Sequence, residues 1–133
     1  MTRINCVPVK ELCNKHLFAE WRELPRIQSY LTKTLQKEDI NKVVSKISPK
    51  YILGTGHVKF FYDKLFWLSG RYEELTLELL ERGYNIEPRE LVLEAPEKLF
   101  NNWKPSQEYM ELNRQRTQDR LPKNPKYSVV KRK

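Results

Sequence analysis

A long stripe of apolar residues at helical spacing does most to limit how this chain can fold. Its members recur every three or four positions, and they are Phe61, Leu65, Leu68, Tyr72, Leu75 and Leu79. This period matches one face of an α-helix. The stripe predicts a helix that begins near His57 or Tyr62 and ends near Arg82, with Gly83 as the residue that follows its C-cap.

A second stripe predicts a helix over about residues 14–37. It consists of Leu17, Leu24, Leu31 and Leu35. Pro25 lies inside this segment and should kink the helix, because proline lacks the N–H group that would donate to the Trp21 carbonyl. The alternative is that the helix ends near Leu24, ahead of the proline.

A third helix is predicted by a start signal late in the chain. Pro105 and Ser106 are residue types that favour the first positions of a helix. We expect this helix to run to about Leu121. Met110 and Leu112 are its clearest apolar residues, so they should make its contacts with the core.

The remaining segments are predicted to be irregular, although Gly54 and Gly56 indicate a tight turn that needs positive φ angles. These segments are an extended N-terminal arm at 1–13, a connection at 37–51, a proline-containing loop at 84–105 and a basic tail at 122–133. The expected fold class is therefore all-α. The chain should form a single compact domain, residues 1–133, of three main helices joined by irregular loops.

The charge balance points to a polyanionic partner. The 133 residues include 25 Lys and Arg against 17 Asp and Glu, which gives a formal net charge of +8. An excess of this size on one small domain is typical of nucleic-acid-binding proteins. A basic protein with no such partner is the alternative that charge alone leaves open.

The cysteine content and hydropathy favour a soluble, intracellular protein, which we expect to be a monomer. Cys6 and Cys13 are too few for a disulfide framework and are expected to be free thiols in a reducing cytoplasm. The N-terminal segment lacks the apolar stretch of a signal peptide, and no run is long enough to span a membrane. No Cys/His cluster has the spacing of a metal site, so no metal is expected.

One face of the first predicted helix concentrates titratable side chains. On a helical wheel, His16, Glu20, Glu23 and Arg26 fall within an arc of about 120°, and Arg22 flanks it. Arg22 and Arg26 would repel each other at this spacing unless an anion such as phosphate lay between them. A solvated charged face is the alternative interpretation of this pattern.

Four segments of the sequence closely resemble one family. They are MTRIN at 1–5, HLFAEWRELPR at 16–26, ISPKYILGTGHVKFFYDKL at 47–65 and ERGYNI at 81–86. Together they resemble the phage-type pyrimidine-dimer DNA glycosylase/AP lyases, the endonuclease V family of T-even phages. The resemblance covers most of the chain, in the same order and with similar spacing.

The resemblance implies a function and a set of site residues. It implies a DNA repair enzyme that excises the base at cyclobutane pyrimidine dimers and nicks the strand by β-elimination, with no cofactor. Loss of Met1 would expose the α-amine of Thr2 as the nucleophile, and Glu23 would be the catalytic carboxylate. The residues implied to bind double-stranded damaged DNA are Arg3, His16, Arg22, Arg26, Arg116, Arg120 and Tyr127.

Departures from the family pattern leave alternatives open. Tyr127 stands where the family has a tryptophan, and the aromatic residues that follow it there are absent from PKYSVVKRK. The same chemistry on other damaged bases is one alternative, and a non-catalytic basic DNA-binding protein is another. We expect Glu20 to be an exposed charge with little role and Tyr127 to lie near the lesion. Contacts to phosphates are expected from Arg22, Arg26, Arg116 and Arg120.

Overall fold

The structure, a computed structural model, describes residues 3–128. These residues form helices and loops without any strand, which confirms the all-α class. Short 3₁₀ turns lie at Val9–Glu11 and Glu97–Leu99. The α-helices are α1 Asn14–Glu23, α2 Arg26–Lys37, α3 Ile40–Ser45, α4 His57–Phe60, α5 Leu65–Glu81 and α6 Gln107–Asp119.

Helix α5 contains most of the apolar stripe and forms the centre of the core. Its residues Leu68, Tyr72, Leu75 and Leu79 are all buried. The helix ends at Glu81 with Arg82 as its C-cap, close to the predicted end, and Gly83 follows with a φ of 101°, the left-handed conformation that glycine adopts freely. The start differs from the prediction, because α4 and a turn precede α5 where one continuous helix was expected.

The first predicted helix is divided in two at Pro25. Helix α1 ends at Glu23 and α2 begins at Arg26, so the alternative of an end near Leu24 describes α1 better than a continuous kinked helix. Leu24 and Pro25 keep right-handed helical angles between the two helices. Leu24 and Ile27 are both fully buried, which explains why the apolar period continues across the break.

Helix α1 packs against α5 through an aromatic contact with a polar anchor. The rings of Trp21 and Tyr72 stack with centroids 6.1 Å apart. The indole N–H of Trp21 donates a hydrogen bond of 2.9 Å to the Thr76 hydroxyl. The hydrogen bond between Trp21 and Thr76 fixes the rotation of α1 about its own axis, because a buried indole N–H needs one specific acceptor.

Helix α3 was not predicted, since the segment 37–51 was expected to be a connection. Asp39 caps this helix by accepting a hydrogen bond from the Asn41 N–H at 3.2 Å. An aspartate ahead of Ile40 and Val43 is a start signal visible in the sequence. The helix has only six residues, and a stripe that short does not establish a helical period.

Helix α6 begins where the sequence predicts but presents a different side to the core. Ser106 caps it by accepting a hydrogen bond from the Tyr109 N–H at 3.1 Å. The prediction that Leu112 makes a core contact is wrong, because this side chain is 45% exposed. Met110 does pack against the core, and the one residue of α6 that is fully buried is polar, Asn113.

The N-terminal arm is buried although no strand lies beside it within residues 3–128. Its backbone is hydrogen-bonded by side chains. Asn113 Oδ1 accepts from the N–H groups of Cys6 and Val7 at 2.8 and 3.1 Å, and Asn113 Nδ2 donates to Asn5 Oδ1 at 2.7 Å. Arg71 Nη1 donates to the Val7 carbonyl at 2.6 Å. The amide of Asn113 thus substitutes for the neighbouring strand that the arm lacks.

The C-terminal tail is also tied to the domain as far as the structure describes it. The Lys126 carbonyl accepts from the Asn14 N–H at 2.6 Å, and the Ser128 carbonyl accepts from the Asn14 side chain at 3.0 Å. These contacts place residues 126–128 at the start of α1. The predicted coil is confirmed for residues 122–128, and residues 129–133 lie outside the described part of the chain.

Two further expectations concern the cysteines and membranes. Cys6 and Cys13 are free and buried, as the sequence predicts. Burial raises the pKa of the Cys6 thiol to about 11, so this thiol stays protonated and unreactive at neutral pH. Within residues 3–128, no helix is both long enough and apolar enough to cross a membrane.

We predict that Asn113→Leu lowers the free energy of unfolding by about 3 kcal/mol, because it leaves two buried N–H groups without an acceptor. Urea denaturation measures this change. Gln118→Leu, on the exposed side of the same helix, is the control and should change stability by no more than about 0.5 kcal/mol. A loss below 1 kcal/mol for Asn113→Leu would contradict the role of this amide as the partner of the arm.

Candidate active site

A cavity of about 140 Å³ lies between the N-terminal arm, α1 and α6. Residues on α1 reach it because they are spaced three or four apart, and those on α6 reach it for the same reason. The charged and titratable side chains in its wall are Arg3, His16, Glu20, Glu23, Arg116 and Arg120. Five of these were predicted as functional residues, and the fold brings them together from three separate segments.

The cavity is strongly positive. The pKa of Arg3 is lowered by its burial and by repulsion from Arg120 and Arg116, while the carboxylate of Glu23 acts in the opposite direction. Three guanidinium groups therefore share one small space with a single carboxylate that is not neutralised by a buried partner. Such a field attracts anions and disfavours additional cations.

Three nitrogen atoms in the cavity wall have no hydrogen-bond partner among residues 3–128 although they are shielded from solvent. They are Arg3 Nε, Arg116 Nε and His16 Nδ1. Buried polar atoms are nearly always paired in folded proteins. Unpaired polar atoms that converge on a cavity, here two arginine donors and one imidazole nitrogen, are expected where a ligand supplies the missing partners.

His16 is oriented by the backbone of α6. Its Nε2 lies 3.0 Å from the Arg120 carbonyl oxygen. A carbonyl only accepts, so Nε2 carries the proton and Nδ1 of the neutral ring is an acceptor. Burial lowers the pKa of His16, as do the nearby charges of Lys15 and Arg3, against the opposing hydrogen bond to Arg120. The neutral ring thus offers one acceptor beside the unpaired arginine donors.

Glu23 is the accessible carboxylate of the cavity. Its side chain is 18% exposed, and its Oε1 lies 3.7 Å from Arg26 Nη1, too long for a hydrogen bond. Arg26 begins α2, so it reaches Glu23 from across the break at Pro25 and not along one helix. Glu23 is therefore held near a cation while its oxygens remain free to bind a ligand or exchange a proton.

Glu20 differs from the prediction that it is an exposed charge. It is 2% exposed. Arg71 donates two hydrogen bonds to its carboxylate, at 2.8 and 3.0 Å, and Asn5 donates a third at 2.8 Å. Burial acts to lower the pKa of Arg71, but the Glu20 carboxylate outweighs that effect and raises it. Glu20 thus lies in the cavity wall as a buried structural residue whose oxygens are already paired.

Three of the predicted DNA-binding residues lie outside the cavity. Arg22 is exposed and lies 5.9 Å from the centroid of the Phe18 ring. Arg26 is at the cavity edge through its pairing with Glu23. Tyr127 is 47% exposed, and the guanidinium of Arg82 lies 5.9 Å from its ring centroid. These positions are compatible with an outer DNA surface.

The predicted nucleophile Thr2 lies outside the described residues, so its position is not part of the geometry above. The sequence missed several residues that shape this site: Asn5 and Arg71, which hold Glu20, and Asn113 and His57, which hold the arm. The contacts by which Arg71, Asn113 and His57 hold Glu20 and the arm join residues more than fifty positions apart, whereas Asn5 pairs with Glu20 at a separation of 15. Periodicity and local motifs carry no signal for contacts of that kind.

The cavity is positive and contains one free carboxylate, and it lies in a small helical domain. This combination is typical of the class of proteins that bind a polyanionic ligand. Residues 1–90 match the family model described as pyrimidine dimer DNA glycosylase. The match covers more than half of the chain, so this protein belongs to the pyrimidine dimer DNA glycosylase family. It is therefore a DNA repair glycosylase whose partner is damaged DNA. Arg3, His16 and Glu23 lie inside the matched region, whereas α6 lies beyond it.

We predict that Glu20→Gln lowers the free energy of unfolding by about 3 to 5 kcal/mol, because removing one partner leaves the buried charge of Arg71 uncompensated. Glu23→Gln, one turn away on the same helix, is the matched control and should cost no more than about 1 kcal/mol. Thermal or urea unfolding of the two variants checks this. Equal losses in the two variants would show that the ion pair between Glu20 and Arg71 does not make the predicted contribution to the free energy of unfolding.

Proposed function

We propose that this protein excises the damaged base at cyclobutane pyrimidine dimers and then cuts the strand at the resulting abasic site. The α-amine of Thr2 would be the nucleophile, and Glu23 would stabilise charge and move protons. The observation that carries this proposal is the cavity in which Glu23 lies with Arg3, the residue that directly follows Thr2 in the chain. Family membership supports the same assignment.

An α-amine is suited to act as a nucleophile near neutral pH. Its usual pKa of about 7.7–8.0 lies more than two units below that of a lysine side chain. A site that contains Arg3, Arg116 and Arg120 would lower this pKa further, because a second cation is repelled there. A substantial share of the amine would then be neutral, as attack on carbon requires. This role needs Met1 to be removed.

The proposed reaction has two linked steps. The amine nitrogen attacks C1′ of the damaged nucleotide, the C1′–N glycosidic bond breaks, and the base leaves with the electron pair and takes up a proton. The attacking nitrogen then gives one proton to solvent, the C1′–O4′ bond breaks as the C1′=N bond forms, and O4′ takes up a proton, so that the opened sugar is joined to the amine nitrogen as a protonated imine. The imine acidifies the C2′ proton, and its removal expels the 3′ phosphate by β-elimination. Hydrolysis of the imine restores the free amine.

Glu23 has the environment that these steps require. Its carboxylate is partly shielded from water, lacks a close hydrogen bond to Arg26, and lies in the cavity where positive charge would develop on the sugar. A fixed carboxylate stabilises such a cation more strongly in a sheltered site than in water. The same group can then accept the C2′ proton. Glu20 is unsuited to either task because Arg71 and Asn5 occupy its oxygens.

The unpaired donors in the wall suit the DNA backbone. Arg3 Nε and Arg116 Nε lack acceptors in the described structure, and phosphate oxygens flank every nucleotide. Charge-assisted hydrogen bonds from guanidinium groups to phosphate are strong and do not depend on base sequence. We assign the same role to Arg120 in the cavity wall and to Arg22 and Arg26 on the surrounding surface, and we keep Tyr127 as a residue near the lesion.

We predict that retention of Met1, or acetylation of Thr2, abolishes the covalent adduct that borohydride traps on damaged DNA, while binding to that DNA persists. Acetylation removes the low-pKa amine, and retention of Met1 displaces it by one residue, while neither change alters the residues that line the cavity. Mass spectrometry of the N-terminus, paired with gel analysis of the trapped complex, measures this. An adduct formed by protein with confirmed Met1 would exclude Thr2. No adduct from the processed protein would favour a non-catalytic DNA-binding role.

We predict that Glu23→Gln lowers the rate of base excision by about a hundredfold to ten-thousandfold, the range that a positioned acid–base group supplies. Binding to dimer-containing DNA should be unchanged or tighter, because a negative charge near phosphates is removed. Single-turnover excision and equilibrium binding on the same duplex separate the two effects. Asp119→Asn, an exposed carboxylate at the end of α6, is the control and should leave excision unaffected.

A further inference from the structure

Ile4, two residues after Thr2 in the chain, has both of its backbone polar groups held by side chains. Its N–H donates to His57 Nε2 at 2.9 Å. Its carbonyl accepts from the Tyr51 hydroxyl at 3.4 Å, a longer and weaker contact. Ile4 itself is fully buried. The arm is therefore fixed at the residue where it enters the core.

The proton arrangement on His57 is set by its other nitrogen. His57 Nδ1 lies 2.8 Å from the Ile52 carbonyl oxygen, which can only accept, so Nδ1 carries the proton. Nε2 is consequently the lone-pair acceptor that the Ile4 N–H requires. The pKa of His57 is lowered first by burial, and Arg116 of α6 lowers it further, against the Ile52 carbonyl and Glu20 of α1. The neutral ring is the form that fits this geometry.

The turn before α4 is built to present this ring. Gly56 has a φ of 87°, and a Cβ there would come within 3.0 Å of the Ile52 side chain. The His57 N–H donates to the Gly54 carbonyl at 3.1 Å, which closes the turn and brings the ring beside Ile52. The ring also packs edge-on against Phe61, with centroids 5.5 Å apart. His57 is 3% exposed, so it does not reach the DNA surface directly.

We propose that His57 is a positioning residue for the reaction, which fixes the direction in which the arm carries the Thr2 amine by accepting the Ile4 N–H. This inference rests on the function proposed above. Only Arg3 lies between Thr2 and Ile4 in the chain, so any movement of the Ile4 amide would also displace the Thr2 amine. Displacement of a reacting group by about 1 Å can cost a hundredfold in rate. His57 acts through the arm and touches neither sugar nor base.

Three substitutions test this role. His57→Leu fills the space but accepts no hydrogen bond, whereas His57→Gln places an amide oxygen near the position of Nε2 and can still accept. We expect His57→Leu to slow single-turnover adduct formation by about ten- to a hundredfold, with a dissociation constant for damaged DNA within about threefold of wild type. We expect His57→Gln to restore most of the rate. His57→Asn, which keeps the contact to Ile52 but is too short to reach Ile4, should resemble His57→Leu.

Thermal unfolding of each variant separates positioning from folding. Adduct formation by His57→Leu at the wild-type rate would overturn the proposal, as would equal losses in the Leu and Gln variants. Failure of both the Leu and Asn variants to fold would assign His57 to folding alone and also overturn it. If wild-type protein with a free Thr2 amine forms no adduct, the proposed function fails instead. In that case hydrogen exchange at the Ile4 amide tests the hydrogen bond to His57 independently of the reaction. An Ile4 amide without protection from exchange would refute this hydrogen bond.

Discussion

An extended segment buried in a helical domain must find hydrogen-bond partners for its backbone, because no neighbouring strand supplies them. In this protein the partners are polar side chains from separate helices. Val7 donates its N–H to Asn113 of α6 and accepts from Arg71 of α5. Ile4 donates its N–H to His57 of α4. Each of these three helices contributes one side chain that hydrogen-bonds the backbone of the arm. The arm and the helices therefore fix each other's positions.

The same network distinguishes a buried, fully paired carboxylate from an accessible one. Glu20 and Glu23 lie one turn apart on α1 and both line the cavity. Arg71 and Asn5 take every strong hydrogen bond that Glu20 accepts, and the burial of that ion pair gives it a fixed geometry. Glu23 has only the long contact to Arg26. One helix therefore holds the domain together on its inner side and leaves a free carboxylate on its outer side.

The sequence predicted what depends on local pattern. The apolar stripe of α5, the turn at Gly54 and Gly56 and the start of α6 at Ser106 follow from residue type and spacing, and the structure confirms them. The roles of Glu20 and Asn113 could not be predicted, because their partners Arg71 and Asn5 lie 51 and 108 positions away. A charged residue whose partner is distant looks the same in the sequence as one that faces water. Leu112 shows the converse error, since an apolar residue on a helix is not thereby buried.

The proposed mechanism assigns different parts of the chemistry to the two walls of the cavity. Arg3 and Glu23 lie in the segment that matches the glycosylase family, whereas Arg116 on α6 and Arg120, the residue that follows α6, lie beyond that segment. Phosphate binding depends on charge and reach more than on one fixed atom, so it is the task that a separate helix can supply. Proton transfer and attack on C1′ need atoms fixed within fractions of an ångström. In the proposed mechanism those tasks would fall to the arm and α1, which the buried network holds in place, while α6 both closes the cavity and supplies the Asn113 amide that holds the arm.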